Sequence, residues 1–105
     1  MNIKEKLQLQ STDHPVIYLH REHTAWKAYN ESAWYINRQY PDYTPSRDVS
    51  LDGLSFLYIL LTDHDLDRIL NRRSFAKIET NLIAIDSTLS FDEKEYRKWL
   101  KAETD

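Results

Sequence analysis

HPVIYLHREHTAWKAYNESA, residues 14–33, joins a β-branched run behind a proline to an aromatic-rich second half, with two histidines three apart between them. Val16, Ile17, Tyr18, Leu19 and His20 read as a strand, because branched and aromatic side chains suit a pleated, half-buried surface. Pro15 marks the boundary before them, since it disfavours helix in the residue that precedes it. Thr24 fits an N-cap, its hydroxyl placed to accept from free amides of a following turn. Beyond it Trp26, Tyr29, Ala33, Ile36 and Tyr40 recur at spacings of three and four, which predicts one apolar helical stripe running to about Gln39.

Working outward, Ile3 and Leu7 predict a short amphipathic helix over residues 2–10, broken by STDHP. YPDYTPSRD, residues 40–48, holds two of the three prolines and no periodicity, and reads as the main loop. Residues 51–53 read as a turn and 55–61 as a buried strand within LSFLYILL. In TDHDLDRILNRR, Thr62 or Asp63 caps a helix with a buried stripe of Leu66, Ile69 and Leu70. Arg68, Arg72 and Arg73 lie toward its C-terminal end, where cations suit the dipole. FAKIE and NLIAID are strand-like, the first by alternation of Ala76 and Ile78 against Lys77 and Glu79, and they fit a hairpin through Thr80 and Asn81. Ser90 with Glu93 matches a capping box that opens a last helix with Tyr96, Trp99 and Leu100 on one face. Strands alternating with helices, ending in a hairpin, predict an α/β domain with a single mixed β-sheet and helices packed against it.

At 105 residues the chain has material for one core, so residues 1–105 form a single domain. No apolar run is long enough to span a bilayer, and MNIKEKLQLQ has no apolar core of the kind that directs export. With zero cysteines, disulfides, thiolate metal sites and thiol nucleophiles are excluded, and a cytoplasmic location is expected. A single glycine excludes phosphate-cradling loops, dinucleotide fingerprints and the GxSxG elbow. The net charge of −3 weighs against strong, autonomous nucleic-acid binding, whose affinity comes largely from Lys and Arg at phosphates.

Candidate chemistry thins out on inspection. His20 and His23 share a face only on a helix, and His20 ends a strand, so they read as surface or turn histidines rather than metal ligands. DHDLD places acids at the first, third and fifth positions of a calcium loop, but the sixth is Arg68 instead of Gly and the twelfth is Ser74 instead of Glu. Ser, His and Asp occur only in cap-like and turn-like contexts, so no catalytic residue, cofactor or metal site is expected and the chain reads as a non-enzyme. Arg68, Arg72, Arg73 and Lys77 read as a solvated helix end diluted by Asp63, Asp65 and Asp67.

REHTAWKAYNESA, residues 21–33, resembles the N-terminal mismatch-recognition domain of the DNA mismatch-repair protein MutS, whose run is approximately R-x-G-D-F-Y-E-x-F-x-x-D-A. Arg21, the aromatics Trp26 and Tyr29, and Ala33 agree. LDRILNRRSFAKIET, residues 66–80, is similar to the family's Y-L-x-x-L-x-x-x-G-Y-x-V-A-I-x-E, so the resemblance spans roughly residues 2–80, with a strand and the C-terminal helix in 81–105. It implies a MutS domain I-like fold. In that family the Phe of Phe-x-Glu wedges into a weakened base step and the Glu contacts the displaced base. Here Ala25 and Lys27 stand at those places, so the resemblance does not carry mismatch reading. His23 and Arg73 replace the family's glycines, and the backbone is expected to differ at both turns.

Two expectations follow. One is a MutS-I-like binding module that associates weakly and non-specifically with DNA through Arg21, Trp26 and Lys27, with Lys27 at a helix N-terminus. The other is a protein-binding or self-associating module anchored by exposed aromatics among Trp34, Tyr35, Tyr40 and Tyr43. Neither involves a membrane.

Overall fold

A computed structural model describes residues 2–9, 15–70, 75–87 and 89–104, with the side chains of 75–77 and 104 left aside. The expectations for STDH, Arg72, Arg73, Ser74, Ala76 and Lys77 lie outside the described residues or side chains. The elements run α1 (Ile3–Gln8), β1 (Val16–Glu22), β2 (Ala25–Tyr29), α2 (Glu31–Gln39), β3 (Ser46–Val49), β4 (Ser55–Leu61), α3 (Asp63–Leu70), β5 (Phe75–Ile78), β6 (Leu82–Asp86) and α4 (Glu93–Thr104). Among the described residues, no helix is long and apolar enough to cross a membrane.

Helices packed on one sheet is the α/β arrangement read from the sequence, but the sheet is not mixed. Among the described residues, six strands in the order β3-β4-β2-β1-β6-β5 pair antiparallel throughout. The cause lies in two misread segments. Residues 25–29 form β2 rather than the start of a helix at Thr24, and residues 46–49 form β3 rather than the end of a loop. Helices α2, α3 and α4 therefore each follow a hairpin instead of bridging parallel strands. Aromatics at 26 and 29 fit a helical period, but pairing on both sides, Trp26 with Arg21 and with Leu61, overrides that local preference.

The hairpin turn is tight. Glu22 pairs with Ala25, leaving His23 and Thr24 as a two-residue loop, and His23 takes φ 59°. Positive φ at the first loop residue matches the right-handed twist of the flanking strands, and glycine meets it most easily. The turn thus adopts a backbone that glycine favours despite the histidine. Asn30, at φ 42°, makes the next corner. Its amide donates to the Leu57 carbonyl at 2.9 Å, and its side-chain oxygen accepts from the Leu57 amide at 3.0 Å. That side chain serves β4 and does not cap α2.

Pleating divides the sheet. Ile17, Leu19, Trp26, Ala28, Leu57, Ile59, Leu61, Ile83 and Ile85 share the face on which α2, α3 and α4 pack, and all are buried. Helix α2 is buried almost all round, through Ser32, Ala33, Trp34, Tyr35 and Ile36. Thr62 caps α3 reciprocally with Asp65, and Leu66 and Ile69 face inward as expected. The last helix starts from Asp92, not Ser90: the Asp92 carboxylate accepts from the Glu95 amide at 3.0 Å. Both residues satisfy the capping template, but Asp92 puts Phe91 just before the cap, where its ring meets Tyr96 at 5.4 Å as a hydrophobic staple. The opposite sheet face carries Tyr18, His20, Glu22, Lys27, Tyr29, Tyr58 and Leu60, partly covered by α1.

Candidate functional site

The β1–β2 hairpin does not assemble the expected nucleic-acid surface. Trp26 is 5% exposed, and its indole N–H donates to Asp63 at 3.2 Å, so its ring packs in the core and presents nothing to a base. Register places Arg21 beside Trp26 but Lys27 beside His20, on opposite sheet faces. Arg21 is exposed, with its guanidinium 5.7 Å from the Trp26 ring centre. Lys27 lies mid-strand rather than at a helix N-terminus, so no fan of helix amides stands beside it.

Its charge is already engaged. Glu22 is a hub: it accepts from Lys6 at 2.9 Å and from the Tyr29 hydroxyl, and Lys27 lies 3.6 Å from it. Lys27 also sits 4.7 Å from the Tyr58 ring centre, a cation–π contact. Burial alone would raise the Glu22 carboxyl, but hydrogen bonds from Tyr29 and Lys6 with both lysine charges outweigh it and hold the group below its ordinary value. Burial, reinforced by Glu22 accepting its proton, pushes the Tyr29 phenol far up. His20 lies buried beside Tyr29, ring centres 5.7 Å apart. Burial first, then the Lys6 charge, brings it down to about 4 against a smaller opposing pull from Glu22. These groups stabilise one another and fasten α1 to the sheet.

The expected partner-binding aromatics are corrected in turn. Trp34 is 2% exposed and Tyr35 not at all, because α2 lies between the sheet and the segment that carries Phe91; the Trp34 ring meets Tyr35 at 5.2 Å and Phe91 at 5.4 Å. Tyr40 and Tyr43 are half-buried against the core. Arg68 covers both rings at 5.0 and 5.3 Å while bonding Asp42 at 2.8 Å, and the Tyr43 hydroxyl donates to Asp65 at 2.9 Å. The proline-rich loop is thereby pinned to α3. Of the acids in DHDLD, Asp63 serves Trp26 and Asp65 serves Thr62 and Tyr43. Among the described residues, no three His, Asp or Glu side chains gather as a metal site.

The feature that sequence reasoning missed is the β3–β4 ribbon. All four β3 residues are exposed, and β3 is an outer strand. The connecting turn closes on Gly53 at φ 88°, its amide donating to the Ser50 carbonyl at 3.0 Å. Around that turn Val49 is 51% exposed, Leu51 fully so, and Leu54 is exposed as well. A cleft flanks the ribbon on each sheet face. One, of about 350 Å³, lies between Arg47, Leu57 and Leu100 of α4. The other, of about 450 Å³, is lined by Ile3, Tyr29, Asp48, Val49, Leu51 and Asp52 among others. The sequence offered only one signal for it, the unexplained leucine at 51 between Ser50 and Asp52. Comparison with protein-family models, curated proteins and solved structures finds no match for this chain.

Proposed function

We propose that the chain is a non-enzymatic protein-binding module on a MutS domain I-like scaffold, with the β3–β4 ribbon as its contact surface. The observation that carries this reading is the cluster of exposed aliphatic side chains at Val49, Leu51 and Leu54 on an outer ribbon flanked by clefts. Exposed aliphatic side chains gathered at one turn suit an interaction site. The scaffold part rests on where agreement and departure fall. Three of the four matched positions, Trp26, Tyr29 and Ala33, are buried, while Ala25 and Lys27, which depart, are half-buried on the strand. The positive φ of His23, at the family's glycine position, points the same way.

Weak DNA association is the second reading, favoured by one observation: Arg21 is exposed beside a cleft that Lys6 also lines. The two separate experimentally. Proteins recovered with the tagged chain from its own cells should be lost from the Val49→Asp/Leu51→Asp variant, whose substituted sites are exposed and leave folding intact. Recovery unchanged by that variant contradicts the protein-binding reading. A labelled duplex bound by the chain, weakening steeply from about 50 to about 200 mM salt and on Arg21→Glu, moves the assignment to DNA.

A further inference from the structure

We propose that the cleft where β1 outruns β6 binds a small organic anion by its carboxylate or phosphate group, through Lys6, His20 and Arg21. The site is separate from the β3–β4 ribbon and does not depend on the protein-binding reading. Pairing of β1 with β6 stops at His20 opposite Leu82, and the Arg21 amide donates to the Asn81 carbonyl at 2.9 Å. Beyond that point β1 continues against β2 alone. The step in the sheet brings residues of both faces to one opening, His20 from one and Arg21 from the other. The cleft measures about 500 Å³, within the range of small-ligand sites, and the β5–β6 turn adds Thr80 and Asn81 to its lining.

His20 is the buried polar group that the fold leaves open. It is 3% exposed, its ring nitrogens find no hydrogen-bond partner among the described residues, and its neighbours act on it through burial and charge. The indole N–H of Trp34 is also buried and unpaired but fully enclosed, whereas the His20 ring lines a cleft. A neutral imidazole has one N–H to give an anion. Lys6 adds charge: its ammonium gives one N–H to Glu22 at 2.9 Å and carries two more. Glu22 faces both Lys6 and Lys27, so one carboxylate stands against two cations and the cluster keeps a positive surplus. Lys6 acts on the His20 ring more strongly than Glu22 does, which puts that surplus beside the cleft. Arg21 is exposed, and its planar fork of donors suits a carboxylate or a phosphate. Glu79, the one carboxylate among the lining residues, is already engaged within the chain.

The same geometry selects for size. The Lys6 side chain is only 16% exposed and His20 lies deeper, so their donors meet a group small enough to enter. A net charge of −3 opposes a polyanion from a distance.

The test is an amide-shift titration of the ¹⁵N-labelled chain with sodium citrate, with sodium phosphate and with a short DNA duplex, sodium chloride holding the ionic strength constant. Citrate or phosphate should give saturable shifts at His20, Arg21 and residues 79–82, with half-saturation below about 10 mM. The probe that saturates at the lower concentration assigns the anion to carboxylates or to phosphates. Arg21→Gln should weaken that binding about tenfold, and Lys94→Gln, which removes an exposed cation of α4, should leave it unchanged. No saturable shift, equal weakening by the two variants, or shifts spread over the exposed cations overturns the proposal. So does a duplex that moves the same amides at lower concentration than either small anion.

Discussion

The β1–β2 and β3–β4 hairpins are built alike and spend their side chains in opposite ways. The first lies in the middle of the sheet, flanked by β6 and β4, and its residues find partners inside the molecule: Trp26 with Asp63, Lys27 with Glu22 and Tyr58, Tyr29 with Glu22. The second is at the edge, and it leaves Val49, Leu51 and Leu54 in water. Residue type therefore misleads about exposure here. Large aromatics and cations, the usual signs of recognition, are absorbed by a central position, whereas plain aliphatics at an edge remain available. Topology, more than chemistry, decides which hairpin keeps its side chains exposed.

The sharpest way to break this contrast is truncation. Trp26→Ala or Trp34→Ala removes a buried ring and should destabilise the fold by about 3–5 kcal/mol, while Leu51→Ala should stay within about 0.5 kcal/mol. Urea denaturation of the three variants checks it; a Leu51 cost comparable to the tryptophans would mean the ribbon is held by the molecule's own packing.

A smaller effect sharpens the account of the central hairpin. His20 sits folded at about 4 and unfolded near 6.5, so between these values the unfolded chain binds more protons and stability rises with pH. Acidification from 6.5 to 4 should cost about 1–3 kcal/mol through this group. Lys6 across from it, Tyr29 beside it and Glu22 on its own strand set the environment, and the lowered Glu22 value adds loss in the same direction at lower pH. Glu31, raised chiefly by burial against the hydrogen bond from Tyr96, acts oppositely at the far side of the sheet. His20→Phe isolates the contribution: stability measured against pH should lose its slope between 4 and 6.5, and an unchanged slope would place the titration elsewhere.

What could be read in advance follows from how local each signal is. Strand β4 and helix α3 were legible because apolar runs, caps and stripes lie within a few residues; Ser55–Leu61 and the Thr62 cap stand as expected. The last helix was legible in its Tyr96 and Trp99 face but not in its start, since Ser90 and Asp92 offer equivalent templates and only the Phe91–Tyr96 contact chooses. Strands β2 and β3 were illegible because neither has a decisive period, and pairing with β4 supplies the structure of both. The candidate surface was illegible for the same reason. Exposure of Trp34, Tyr35 and Leu51 depends on what α2 and β3 pack against, which no local pattern in the sequence records.

The division between the hairpins is tested most directly by a photo-crosslinking residue placed at either tip, in place of His23 or of Leu51, in the chain expressed in its own cells. Protein adducts should form from position 51 and not from position 23. Adducts from position 23, whether to protein or to DNA, with none from position 51, would contradict the account.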